Sequence, residues 1–168
     1  MQRFVAALAA LLLLAPAAWA QIKTLAAGKV WSAYSTVEQG KTTCYLVGVP
    51  AKSLPAGAAR SNVNAIVSHR TAEKAFYVVT FNLGYAAKEG AKAELNIDGK
   101  KFTLFIEKDA AWAPDAPTDK AISEALARGK TAILKASSAK GTATTDSYSL
   151  EGFGQAFKAI NDACKAPK

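Results

Sequence analysis

The sequence predicts a mainly β protein: an antiparallel β-sandwich with one short helix and a C-terminal amphipathic helix packed on it. Three observations carry this. Apolar residues alternate with polar ones through most of the span from 21 to about 118, which is the period of strands with one face inward. Asp98-Gly99 divides two such runs, the pattern of a two-residue hairpin turn that requires positive φ. Finally, Leu150, Phe153, Phe157, Ile160 and Cys164 recur at helical spacing.

Taken in order, Trp31 to Tyr34 is a short aromatic strand, and Cys44 to Val49 a second that places Tyr45, Val47 and Val49 on one face before Pro50. An Ala-, Gly-, Pro- and Ser-rich loop runs on to Ser61, and Val63 to Ser68 is the next strand. Lys74 to Leu83 carries Ala75, Tyr77, Val79, Phe81 and Leu83 on one side and Phe76 and Val78 on the other, so a central strand covered on both faces is expected. Leu95 and Ile97 lead into the hairpin, and Phe102, Leu104 and Ile106 lead out of it. After Trp112 comes a proline-containing loop, with Thr118 or Asp119 expected to cap a helix that turns Ile122, Ala125 and Leu126 inward and ends at Gly129. Strands near Thr131 to Ala136 and Thr142 to Tyr148 flank a Ser-Ser-Ala-Lys-Gly turn, and Ser149 is the expected N-cap of the last helix.

Residues 1–20 have the order of a secretory leader: Arg3, an apolar stretch from Phe4 to Leu14, Pro16, then Ala18-Trp19-Ala20. The apolar stretch is short for a membrane span, so the expectation is cleavage before Gln21, one domain over 21–168 and no transmembrane span afterwards. Both cysteines, Cys44 and Cys164, follow that point. An even pair in an oxidising compartment reads as a disulfide, and Cys164 lies on the apolar stripe of the last helix, where docking on the sheet brings it toward the strand of Cys44.

The formal net charge is +8, which favours anionic partners. The lysines are dispersed and interleaved with acids, however, so a solvated surface is the preferred reading over a nucleic-acid platform. Chemistry is sparse. His69 is the only histidine, too few for a zinc site beside two paired cysteines, and it reads as an ordinary surface residue at a strand end. No Gly-x-Ser-x-Gly elbow is present. Ser137-Ser138-Ala139-Lys140 has Ser-x-x-Lys spacing but falls in a turn and lacks companion motifs. No catalytic, metal-binding or cofactor-binding residue is assigned. Trp112, in a loop, is the leading exposed candidate unless it plugs the end of the sandwich, and Arg60, His69 and Arg70 complete the expected interaction surface.

Trp31-Ser-Ala-Tyr34, Thr-Thr-Cys44-Tyr, Ala72-Glu-Lys74, Ile97-Asp-Gly-Lys-Lys-Phe102, Ala111-Trp112 and above all Asp146-Ser-Tyr-Ser-Leu-Glu-Gly-Phe153 through to Cys164 resemble the invasion-associated locus B family of exported bacterial proteins. The resemblance covers nearly all of the chain after the leader. It implies an alphaproteobacterial type of protein in a Gram-negative periplasm, near or at the outer membrane, with a link to host-cell entry and no catalytic residue carried over. The resulting expectation is a non-enzymatic interaction or envelope-maintenance protein whose partner is an envelope protein or an anionic envelope component. The alternatives are a small enzyme acting on cell-wall polymer, or a periplasmic ligand-binding or inhibitor module.

Overall fold

A computed structural model describes residues 21–88 and 90–167; the expected leader lies outside the described residues. Eleven strands run β1 (Gln21–Ala27), β2 (Trp31–Glu38), β3 (Lys41–Gly48), β4 (Lys52–Leu54), β5 (Asn64–Arg70), β6 (Ala75–Asn82), β7 (Lys92–Ile97), β8 (Lys100–Glu107), β9 (Ala110–Trp112), β10 (Thr131–Ser137) and β11 (Ala143–Ser149). Helix α1 (Ala116–Arg128) precedes β10, and α2 (Phe153–Cys164) closes the chain. The strands form one sheet in the order β1-β2-β3-β5-β6-β9-β8-β7-β10-β11-β4, and every neighbouring pair is antiparallel.

The two layers are thus halves of a single sheet folded over on itself. Trp31 of β2 meets Tyr148 of β11 at 6.2 Å between ring centroids, and Phe81 of β6 meets the same tyrosine at 5.6 Å, so strands far apart in sheet order share one interior. Trp31 also donates its indole N–H to the Ser149 carbonyl at 2.8 Å and packs edge-on against Phe153 at 4.8 Å. Buried aromatic rings with a satisfied polar end are efficient at closing such a seam. Room for the indole comes from Gly48, where a Cβ would lie 2.4 Å from the ring. The buried apolar residues form one continuous cluster from Trp31 to Cys164.

Several elements follow the sequence pattern closely. Ile97 pairs with Lys100 across Asp98 (φ 47°) and Gly99 (φ 96°), the two-residue turn expected. The carboxylate of Asp98 also accepts N–H bonds from Lys130 and Thr131, which ties this turn to the start of β10. β6 is internal to the sheet, with Tyr77, Val79 and Phe81 buried, and α1 ends at Gly129.

Other details differ. In β3 the buried side is Cys44, Leu46 and Gly48, while Val49 is exposed, because the strand aligns its cysteine and Leu46 with the core. Helix α1 begins earlier than expected: Asp115 caps it by accepting the Thr118 N–H at 2.7 Å, and Pro117 sits in the first turn, where a missing N–H costs nothing. Helix α2 begins later, with Gly152 at the N-cap (φ 82°); Ser149 instead ends β11, and its hydroxyl accepts the Glu151 N–H. The loop after Pro50 contains β4, which pairs with β11.

Helix α2 buries Phe153, Ala156, Phe157, Ile160 and Cys164 against β1, β2, β3 and β5. The Cys44–Cys164 disulfide clasps its last turn to β3, with Cα atoms 6.0 Å apart. Among the described residues no helix is long and apolar enough to cross a membrane.

Candidate functional site: a groove over a buried arginine–aspartate pair

On β11 the inward positions Thr144, Asp146 and Tyr148 are all buried, which puts a carboxylate on an apolar face. A charge there is tolerated only when paired and hydrogen-bonded. Arg60, from the segment after β4, supplies the pair. Its Nη1 and Nη2 donate to the two carboxylate oxygens of Asp146 at 2.7 Å each, and its Nε donates to the Leu83 carbonyl at 2.8 Å. Side-chain exposure is 6 % for Arg60 and 1 % for Asp146, so this is a desolvated bidentate pair and not a surface contact. The bond to Asp146 holds the Arg60 guanidinium above its ordinary pKa despite burial.

Tyr85 lies against the guanidinium, 5.1 Å from ring centroid to Cζ, and shares a 2.6 Å hydrogen bond with Thr144 Oγ1. Burial raises the Tyr85 phenol above its usual value. Burial, reinforced by the negative charge of Asp146, does the same more strongly to Tyr148, whose hydroxyl has no hydrogen-bond partner among the described residues. Above these groups opens a cavity of about 410 Å³. Its walls are small residues, Ala58, Ala59, Ala86 and Ala139, and its rim carries Ser138 and Lys140 of the β10–β11 turn. That volume is within the range of small-ligand sites.

Of the residues singled out from the sequence, Arg60 belongs to this groove, but as a buried structural cation. His69 is a correction to the surface reading. It is completely buried, its Nδ1 accepts the Tyr77 backbone N–H at 2.9 Å, and its Nε2 lies 2.7 Å from Asn161 Oδ1 on α2. Since a backbone N–H only donates, Nδ1 is unprotonated and the proton sits on Nε2. The ring fills a β-bulge: Ser68 pairs with Val78 and Arg70 with Ala75, leaving one residue of β5 opposite two of β6, with Tyr77 at φ 63°. Desolvation lowers the His69 pKa, and the Asn161 bond only partly offsets it.

Trp112 is likewise not in a loop but in β9, and it is half-buried. Directly opposed residues share a face. The register therefore sets Val47, Ile66, Thr80, Trp112, Phe105 and Lys92 in one row across the outer side of the sheet, where Phe105 is 43 % exposed. Arg70 is half-buried and paired with the exposed Glu73 at 2.6 Å. The four residues expected to share a surface are thus split among the groove, the core, the outer sheet face and a surface ion pair.

Asp119, expected only as a helix cap, instead serves the edge of β6. Strand β6 pairs with β9 only over Thr80 to Asn82, and α1 covers the rest of that edge: Asp119 Oδ1 accepts the Val79 N–H at 2.8 Å and the buried Ser123 hydroxyl donates to the Tyr77 carbonyl. Burial pushes the Asp119 carboxyl up to about 6, with a smaller push from Asp115 and a partial offset from the Val79 N–H. Ser138 Oγ accepts the Thr142 N–H, which keeps the Ser-Ser-Ala-Lys stretch in a tight turn and not on a helix. Among the described residues no group of three or more His, Cys, Asp and Glu could hold a metal ion.

The fold and groove define a class: a β-rich domain clasped by a disulfide, with a ligand-sized groove over a buried arginine–aspartate pair. The sequence matches the family model described as Invasion associated locus B (IalB) protein over residues 31–161, and the chain belongs to that family. No curated protein and no solved structure matches it.

Proposed function

We propose that this protein works in a Gram-negative periplasm as a non-enzymatic binding protein of the envelope, released there by cleavage before Gln21. One observation carries the binding reading. The groove over Arg60 and Asp146 has the volume of a ligand site, and Arg60 with Asp146 and Tyr85 with Thr144 are hydrogen-bonded in pairs instead of being aligned as nucleophile and base. The leader-like residues 1–20 support export, and so does the disulfide, since such bonds persist outside the reducing cytoplasm. An envelope protein or an anionic envelope component is the proposed partner. Outer-membrane association and a part in host-cell entry belong to the same proposal; the first rests on the resemblance to exported Gram-negative proteins and the second on the family's name.

Chemical crosslinking and pull-down of the tagged protein from periplasm, run beside an Ala139→Trp variant that fills the groove, tests the reading. A partner captured by the parent and lost in the variant supports it. Incubation with peptidoglycan tests the non-enzymatic part: soluble fragments released by the parent and abolished by a single carboxylate substitution would overturn it.

A further inference from the structure

The groove begins where an edge strand stops. β4 covers the outer edge of β11 only from Thr145 to Ser147, and the chain leaves the ladder at Pro55, which has no N–H to continue it. Beyond that point the outward-facing backbone N–H and C=O of Ala143 carry no strand, while those of Thr142 and Thr144 face β10, and the cavity is bounded there by Thr142 and Thr144 on one side and Ala58 and Ala59 on the other. An uncovered strand edge offers backbone donors and acceptors at the spacing an extended peptide requires.

The charge of the lining selects which part of a peptide fits. Arg60 and Lys140 are its cations, and among the described residues no Asp or Glu lines it. Lys140 has no ion-pair partner among the described residues. Three of the five N–H donors of Arg60 are used by Asp146 and Leu83, which leaves two over on a residue that lines the cavity. The Ser138 hydroxyl, whose oxygen accepts the Thr142 N–H, keeps its own proton as a short-range donor, and the alanine walls supply an apolar lining.

Resting on the groove reading above, we infer that this site captures the free C-terminal carboxylate of a peptide, the chain pairing with the outward backbone of Ala143 and its carboxylate lying between Lys140 and Arg60. Lys140 attracts and discriminates, while Arg60, held in place by Asp146, supplies fixed donors.

The test is an NMR titration of isotope-labelled protein, purified after export, with N-acetyl-Ala-Ala as the free acid and as its C-terminal amide. The free acid should shift the amides of Ala139 to Thr144 and of Tyr85. The amide form should bind about tenfold more weakly, and Lys140→Ala should remove most of that preference, as expected for loss of a hydrogen bond between charged groups. Ala139→Trp should abolish the shifts while leaving the rest of the spectrum in place. Equal binding of acid and amide overturns the carboxylate inference but leaves the groove as a binding site. Absence of shifts at these residues with either probe overturns it as well, and the periplasmic pull-down then decides the broader reading independently.

Discussion

Removing the disulfide is the perturbation whose size follows most directly from the architecture. Cys44 and Cys164 are separated by 120 residues and both are buried, so the bond closes a loop that spans most of the described chain. In the chain-entropy model a loop of this length removes about 16 cal/mol/K from the unfolded ensemble, or about 5 kcal/mol at 25 °C. For a domain of this size each kcal/mol moves the melting temperature by about 2–4 °C, so reduction should lower it by about 10–20 °C. Far-UV circular dichroism melts of oxidised protein, of reduced and alkylated protein, and of Cys44→Ala, Cys164→Ala and the double variant would measure this. Because the two sulfurs act only as a pair, the double variant should fall within about 0.5 kcal/mol of either single one. The native helix should persist when the bond is gone, since Phe153, Phe157 and Ile160 remain docked. A shift below about 3 °C, or single variants whose effects add, would refute the claim that the bond acts by restricting the unfolded chain.

Breaking the groove's ion pair from one side, with Asp146→Ala, should cost about 3–5 kcal/mol by urea denaturation because it strands a buried guanidinium. An Arg60→Met, Asp146→Leu double variant should recover much of that loss, and failure to do so would count against the pair being a desolvated charge problem. His69 is the chain's only histidine, so its ring protons report unambiguously in untagged protein. Its folded pKa is depressed, so the stability it contributes is complete above the unfolded value of 6.5 and is lost as pH falls below it. The ring should titrate with a midpoint under 6.5, and a midpoint at or above that value contradicts the buried neutral tautomer. Asp119 has the opposite sign: its pKa is raised from 3.8 to about 6, so its favourable contribution is complete below 3.8 and gone once pH has risen through 6. Asp119→Asn keeps an oxygen for the Val79 N–H and cannot ionise; melts should show it more stable than the parent by a few degrees at pH 7.5, with the advantage disappearing near pH 4. An advantage independent of pH would point to helix propensity instead.

Much of the fold was legible because local patterning carries it. The Asp98-Gly99 turn, the alternation through β6 and the helical stripe from Phe153 to Cys164 each depend on neighbours in sequence, and the structure contains all three. The bridge between Cys44 and Cys164 was legible for a related reason, as the stripe that docks α2 also carries the sulfur. The helix starts were less so. Asp115 outcompeted Thr118 and Asp119 as a cap because Pro117 suits the first turn, and Gly152 outcompeted Ser149 because β11 runs through Ser149 first.

The functional residues divide the same way. In the structure Asp146 alternates with Thr144 and Tyr148 on the inward side of β11, and an acid on a buried face demands a cation. The sequence does not show which, since Arg60 lies 86 residues away and reaches it only after the sheet folds over. His69 looked like a surface residue because its neighbours Ser68 and Arg70 are polar, whereas its own side chain points inward to fill a bulge and bond α2. Sequence alone thus determined the β class, the hairpin, the terminal helix and the disulfide, all properties of period and spacing along the chain, and the family, which rests on the likeness of its motif residues. The groove, the burial of Arg60 and His69 and the outer-face row around Trp112 were decided by tertiary structure, because each depends on pairings between strands whose register is set only when the two halves of the sheet close on a common core.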